Sequence, residues 1–321
     1  MGDTNLSQAI SATNDSGSAY DTNVKFLLAD KQILSWILKY TLIEFADMEV
    51  SDIRGCIGDD IEVDTRPVEP GLSNLGRIKG ALTEDSVPGE GTIYYDIRFT
   101  AYRKNAEMKI LVNLEAQRTS DAGKLGYRLE NRIVFYLARM VSTQKQTEFF
   151  HSDFDGLKPV RSIWICMDSG AAEDSIEEIG FESRLVYGNT KNRHETDLMK
   201  GIIVNIRNEE DAALETVAKS ENRLIAMLEE ILSEKDVAEK KQILADEYGM
   251  IMTEELEGRM QRMCNLSELV EERGIKKGIT RERIAAIERM LKANFTKDQV
   301  ISCGYTEEEI ERAESALYAN V

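Results

Sequence analysis

Two runs dense in β-branched and aromatic residues, Thr92-Ile-Tyr-Tyr-Asp-Ile-Arg-Phe-Thr-Ala-Tyr102 and Met108-Lys-Ile-Leu-Val-Asn-Leu-Glu115, are separated only by the polar stretch Arg103-Lys-Asn-Ala-Glu107. Such a pair predicts a β-hairpin. Side chains alternate along a strand, so Glu115 and Gln117 share a face. Pairing around the turn sets Tyr102 against Met108, which puts Asp96 opposite Asn113 or Leu114 and beside Glu115. Two carboxylates and an amide thus converge on strands that are otherwise apolar, where an unpaired buried carboxylate is costly. Two resolutions stand. Asp96 and Glu115 hold a divalent cation, a pair that suits Mg²⁺ with several retained waters; or Asp96 pairs with Arg98 or Arg118 on a solvated sheet face.

The flanking sequence predicts an α/β fold. Residues 1–19, rich in Ser, Asp, Asn, Thr and Gly, read as a disordered tail. From Tyr20 apolar residues crowd a segment running to Leu42, read as one long buried helix with Asp21 as its N-cap. Asp52 to Gly91 carries Pro67, Pro70 and Pro88 and reads as an extended, loop-rich insertion with one short strand. A helix is expected from Tyr127 to Glu148, with Leu129, Ile133, Tyr136, Leu137 and Met140 on one face. Val160 to Met167 and Gly201 to Arg207 then read as buried strands. The order helix, strand pair, helix, strand, strand fits a mixed sheet flanked by helices over 20–207.

Residues 208–321 read as a helical C-terminal region, with Gly274 and Gly278 marking a break. Two short helices close it, Ile284 to Ala293 and Thr306 to Tyr318, and Thr306-Glu-Glu-Glu309 is a capping-box signature before the second. A helix-turn-helix and an ordinary helix pair both fit this outline. Thr306 to Tyr318 holds five glutamates against Arg312, which favours contact with protein over DNA.

The net charge of −18 alone argues against nucleic acid. Its distribution is uneven. Ile97 to Lys145 holds ten basic residues against four acidic ones, a local +6 that leaves −24 for the rest of the chain. Cys56, Cys166, Cys264 and Cys303 match no zinc spacing and read as free, mostly buried thiols of a reducing compartment. His151 and His194 sit in no motif, and Met250, Met252, Met260 and Met263 read as helix packing. With no apolar run approaching the ~18–20 residues of a membrane span and no signal-type N-terminus, a soluble cytoplasmic protein is expected.

The pattern Asp96, Glu115-x-Gln117, a helix with Arg132 and Tyr136, then Phe154-Asp-Gly-Leu-Lys-Pro-Val-Arg-Ser-Ile-Trp-Ile165 resembles the PD-(D/E)XK nuclease-family transposases, also called recombination-promoting nucleases. Asp21-x-x-x-Lys25 and Met263-Cys-Asn-Leu-Ser267 resemble further elements of that family, extending the likeness over Tyr20 to Ser267. The resemblance implies a restriction-endonuclease-like core that hydrolyses DNA with Mg²⁺, or Mn²⁺ in its place, in recombination or mobile elements. Asp96 and Glu115 then correspond to metal-binding acids, and Gln117 stands where the wider superfamily has lysine. An amide orients by hydrogen bonds but brings no charge. The superfamily's further acid has three candidates here, Asp21, Asp30 and Glu44. Asp21 is favoured, with the N-cap as its other reading. Lys25 reads as a site residue or a solvated helix charge. Arg128, Arg132 and Tyr136 lie four apart and could face phosphate, while Tyr136 suits the core equally.

Two functions follow. One is a Mg²⁺-dependent DNA endonuclease, expected as a two-fold homodimer. The other is an inactive nuclease fold serving as a binding module, with the acidic helical region meeting protein partners.

Overall fold

The computed structural model describes residues 22–64, 83–87, 91–103, 108–167, 173–189, 196–207, 220–233, 235–293, 295–307, 309–310 and 313. The proposed tail and Asp21 lie outside them, as does His194. The chain separates into two compact units, one spanning Ser18–Cys264 and one containing Asn265–Val321.

The expected single first helix is two. Residues 22–28 form α1, the chain turns at Ala29–Asp30, and Lys31–Thr41 form α2. Asp30 breaks the run because its carboxylate accepts from the Gln32 N–H, capping α2 with a residue in extended conformation. Both helices remain buried on their apolar faces. A short α3 (Val50–Arg54) leads to β1 (Glu62–Val63), and residues 65–82 of the loop-rich insertion are outside the described set.

The run Thr92 to Tyr102 is also divided. β2 (Glu84–Val87) and β3 (Gly91–Tyr94) pair with each other as a two-stranded sheet. After Tyr95–Asp96 the chain enters a different sheet as β4 (Ile97–Arg103). Asp96 therefore sits at a strand junction rather than within a strand. β4 and β5 (Met108–Gln117) form the expected hairpin with Arg103 opposite Met108 and Ile97 opposite Leu114, one residue from the predicted register. The short α4 (Ala122–Leu125) precedes α5 (Leu129–Ser142), and then come β6 (Val160–Cys166), β7 (Ser175–Gly180) and β8 (Met199–Asn205).

The main sheet is six-stranded and mixed, in the order β1-β4-β5-β6-β8-β7. β5, β6 and β8 run parallel, while the flanking pairs are antiparallel. Helices cover both faces. On one, Ile97, Phe99, Val112, Leu114, Ile163, Ile165, Ile202 and Val204 pack with α1, α2 and the later helices α6 (Arg223–Leu232) and α7 (Val237–Tyr248). On the other, α5 lays down Leu129, Ile133, Tyr136, Leu137 and Met140 against Val160, Trp164 and Ile203, the stripe read from its periodicity. Each such side chain contributes about 1.5–3 kcal/mol of hydrophobic stabilisation. Because α6, α7 and the methionines Met250, Met260 and Met263 share the first of these cores, the sheet and the helices after residue 207 are packed as one body up to Cys264.

α5 lies close on β8. A Cβ at Gly201 would come 2.2 Å from Ile133 Cγ2. That methyl belongs to a stiff β-branched side chain, so it yields little. Gly201→Ala is expected to lower unfolding free energy by about 1–3 kcal/mol through overpacking, readable as a fall in urea midpoint with an unchanged slope.

α8 (Glu254–Lys292) runs helically through Gly274 and Gly278, which do not break it. An unforeseen α9 (Lys297–Ser302) follows, closed by its own capping box, Thr296 with Gln299. The capping box at Thr306 forms: Thr306 N–H donates to Glu309 Oε2 (2.8 Å), and Glu309 N–H to Thr306 Oγ1 (3.3 Å). Ile287, Val300, Ile310 and Ala313 make a small core for this second unit. Of the described thiols only Cys166 is buried, whereas Cys56 is half-buried and Cys303 exposed, so the expectation of mostly buried cysteines fails. Among the described residues no helix is long and apolar enough to cross a membrane.

Candidate active site

The strand junction at Asp96 builds the site. β3 leaves for its own sheet, so the ladder opens at the end of the hairpin. Asp96 N–H donates to Glu115 Oε1 (3.1 Å), and Ala116 N–H donates to Asp96 Oδ2 (3.0 Å). Each carboxylate thus takes a backbone donor from the opposite segment, a reciprocal clasp that holds the two acids side by side. Buried backbone donors need partners, and here carboxylates serve.

Glu115 is 3% exposed. Its Oε1 also accepts from Asn113 Nδ2 (2.8 Å). Asn113 Oδ1 in turn accepts from Ser162 Oγ (3.1 Å), and Ser162 Oγ accepts from Trp164 Nε1 (2.8 Å). This relay of buried polar groups crosses from β5 to β6 and fixes the Glu115 rotamer. Burial pushes the Glu115 carboxyl well above the ordinary carboxylate range, and the neighbouring Asp96 charge adds to the push. Arg132 and Lys25 act in the opposite direction.

Lys25, on α1, is 1% exposed and its Nζ lies 2.8 Å from Asp96 Oδ1. It is therefore no solvated helix charge. Arg132 comes from α5, half-buried, its guanidinium 5.1 Å from the Tyr136 ring centroid and 4.9 Å from that of Trp164. It donates to the hydroxyls of Tyr127 and Tyr136, both at 2.9 Å. Tyr136 belongs to the core and its hydroxyl donates to Tyr94 O (3.3 Å); burial first, then Glu115, pushes that phenol up to about 12. It stays a neutral donor.

Asp96, Glu115, Lys25, Arg132 and Tyr136 are thus brought together. Gln117, half-exposed, follows Glu115 on the same side of β5 by alternation, and its backbone carbonyl accepts from Met167 N–H (3.0 Å). Arg128 stands apart as the exposed N-cap of α5, 3.6 Å from Glu130. Asp30 is occupied in capping α2, and Glu44 is committed to Arg161. His151 is exposed. Asp96 pairs with Lys25, a partner not considered from sequence, and Arg98 lies over the Tyr95 ring at 5.1 Å.

Ser162 and Trp164 were not foreseen as parts of the site, and Asn113 entered only as a register marker. Their signal was available in part: Asn113 has the parity of Glu115, and Ser162 and Trp164 share one face of β6. Among the described residues no three His, Cys, Asp or Glu side chains converge as a metal-binding group. The candidate donor set is the two carboxylates, which suits a hard ion that keeps its own waters. Among the described residues, both hydrogen bonds accepted by Glu115 fall on Oε1.

Part of the local basic excess is compensated by acids elsewhere in the chain. Arg103 pairs with Asp47 and Lys109 with Glu148, while Arg139 is 3% exposed. Compared with known proteins, the chain matches no protein-family model, no curated protein and no solved structure.

Proposed function

We propose that this chain is a divalent-metal-dependent DNA endonuclease with a PD-(D/E)XK-like core, a member of the recombination-promoting nuclease type. The observation that carries the reading is the side-by-side placement of Asp96 and Glu115 at the open end of the β4–β5 hairpin, with cationic Lys25 and Arg132 beside them. A six-stranded mixed sheet with helices on both faces is compatible with that core.

In this reading Asp96 and Glu115 hold Mg²⁺, with Mn²⁺ a substitute. The ion supplies Lewis acidity at the scissile phosphate and acidifies an attacking water. Asn113, Ser162 and Trp164 keep Glu115 oriented, so little reorganisation is needed when charge arrives. Arg132, held flat by Tyr136 and Trp164, presents a guanidinium to phosphate. Gln117 orients water or substrate by hydrogen bonds. DNA is the proposed substrate, and a homodimer is proposed for cutting both strands.

A second reading draws on the same ion pair. Lys25 already balances Asp96 without a metal, as it would in a nuclease fold kept as a binding module, its acidic C-terminal helices contacting protein. Calorimetric titration with Mn²⁺ separates the two. The nuclease reading expects saturable binding that is lost in Asp96→Ala, together with nicking of supercoiled plasmid. No binding, or binding indifferent to Asp96, sinks it in favour of the module.

A further inference from the structure

Burying an ammonium costs several kcal/mol unless it is well paired. α1 nevertheless turns Lys25 inward at 1% exposure, one position from core residue Val24. Its Nζ reaches Asp96 Oδ1 at 2.8 Å, while Asp96 Oδ2 is held by Ala116 N–H at 3.0 Å. Both oxygens of Asp96 are therefore engaged, one by a backbone dipole and one by a full charge. On β5 the position two residues beyond Glu115 is an amide, Gln117, which carries no charge. Phosphodiester hydrolysis builds negative charge on the phosphoryl oxygens, and a fixed cation beside the reacting centre stabilises it.

We infer that Lys25 is the lysine of this active site: its ammonium, delivered from α1 and parked on Asp96, furnishes the charge that Gln117 does not. This rests on the nuclease reading above. Lys25 is a positioning and charge-supplying residue whose chain origin differs from that of the carboxylates. The ion pair fixes its place before substrate arrives. A lysine at position 117 would start from the carboxylate face of β5, so the same charge could be supplied from there.

The test uses the full chain, supercoiled plasmid and Mn²⁺. Lys25→Gln is expected to lower kcat by roughly 10²–10³-fold, the scale of losing one preorganised electrostatic group. KM should change little, and Mn²⁺ affinity should stay within about threefold of wild type or tighten, since a competing cation is gone. Adding Gln117→Lys to Lys25→Gln should restore at least about tenfold of the loss, which mere structural support would not do. Wild-type-like cleavage by Lys25→Gln overturns the inference. So does a folded double variant with no recovery, or loss of Mn²⁺ binding together with cleavage. Should Lys25→Gln lose its cooperative thermal transition, Lys25→Arg decides: activity within about tenfold of wild type supports the inference, and a folded but inactive Lys25→Arg overturns it. A wild-type chain that cleaves nothing removes the nuclease reading itself, an outcome distinct from wild-type cleavage that is indifferent to Lys25.

Discussion

Under the proposed nuclease function, Asp96→Ala and Glu115→Ala are each expected to abolish metal-dependent nicking of plasmid, by roughly 10³-fold or more. Loss of a ligand removes the several kcal/mol that a bound cation gives to transition-state charge, and each 1.36 kcal/mol is about tenfold in rate. The two substitutions differ in what they leave behind. Glu115→Ala strands Asn113 Nδ2 and Asp96 N–H without their shared acceptor, at about 1–3 kcal/mol for each unsatisfied group. Asp96→Ala removes the carboxylate paired with a buried ammonium. Glu115→Gln is the cleaner probe because it keeps an acceptor oxygen for both donors and loses only charge and ligand strength. It should unfold near the wild-type temperature yet remain inactive. Full cleavage by both alanine variants would end the assignment.

The largest expected effect on stability lies elsewhere. Arg161 in β6 is 1% exposed and donates from Nε to Glu44 Oε1 at 2.9 Å, with a second, shorter contact from Nη2. It also reaches Asp197 Oδ2 at 3.1 Å and Asp197 O at 3.0 Å. Glu44 is 9% exposed and its Oε2 is buried without a hydrogen bond. Arg161→Met would leave Glu44 as an uncompensated buried carboxylate, a loss of roughly 3–5 kcal/mol. Replacing both partners, Arg161→Met with Glu44→Leu, should recover most of that loss, because desolvation of the pair offsets much of its attraction. Thermal or urea unfolding reads both variants. A single variant as stable as wild type would contradict the pairing.

The hairpin and its acids were legible because strand periodicity and side-chain parity are local properties. Ile97 to Leu114 could be paired within one residue from two apolar runs and a polar turn. The junction at Tyr95–Asp96 was not legible: the run from Thr92 to Tyr102 has uniform β composition, and only the partner β2 reveals that its first part belongs to another sheet. The Lys25–Asp96 contact joins positions far apart in the chain, so the sequence left Lys25 open between a site residue and a solvated helix charge. β7 was missed because it is an edge strand, largely exposed along its length, so it carries little apolar alternation. Gly274 and Gly278 misled in the other direction. A glycine costs a helix only about 1 kcal/mol relative to alanine, and neighbouring helix formers absorb that in α8. The stripe of α5 was read correctly because its five apolar positions repeat at helical spacing and all reach the sheet. The relay through Ser162 and Trp164 depends on β6 lying parallel to β5 in one register, Asn113 beside Ser162, which no single strand encodes.

The reciprocal clasp between Asp96 and Glu115 has an effect beyond placing two acids. A one-residue slip of the hairpin would turn Glu115 towards the opposite core and present Leu114 or Ala116 to Asp96. The misaligned chain would then lose its paired acids and bury a lone carboxylate at once. Under the proposed nuclease function, correct strand alignment and competence for chemistry become a single condition, and an assay of cleavage doubles as a proofreading test of how the hairpin folded.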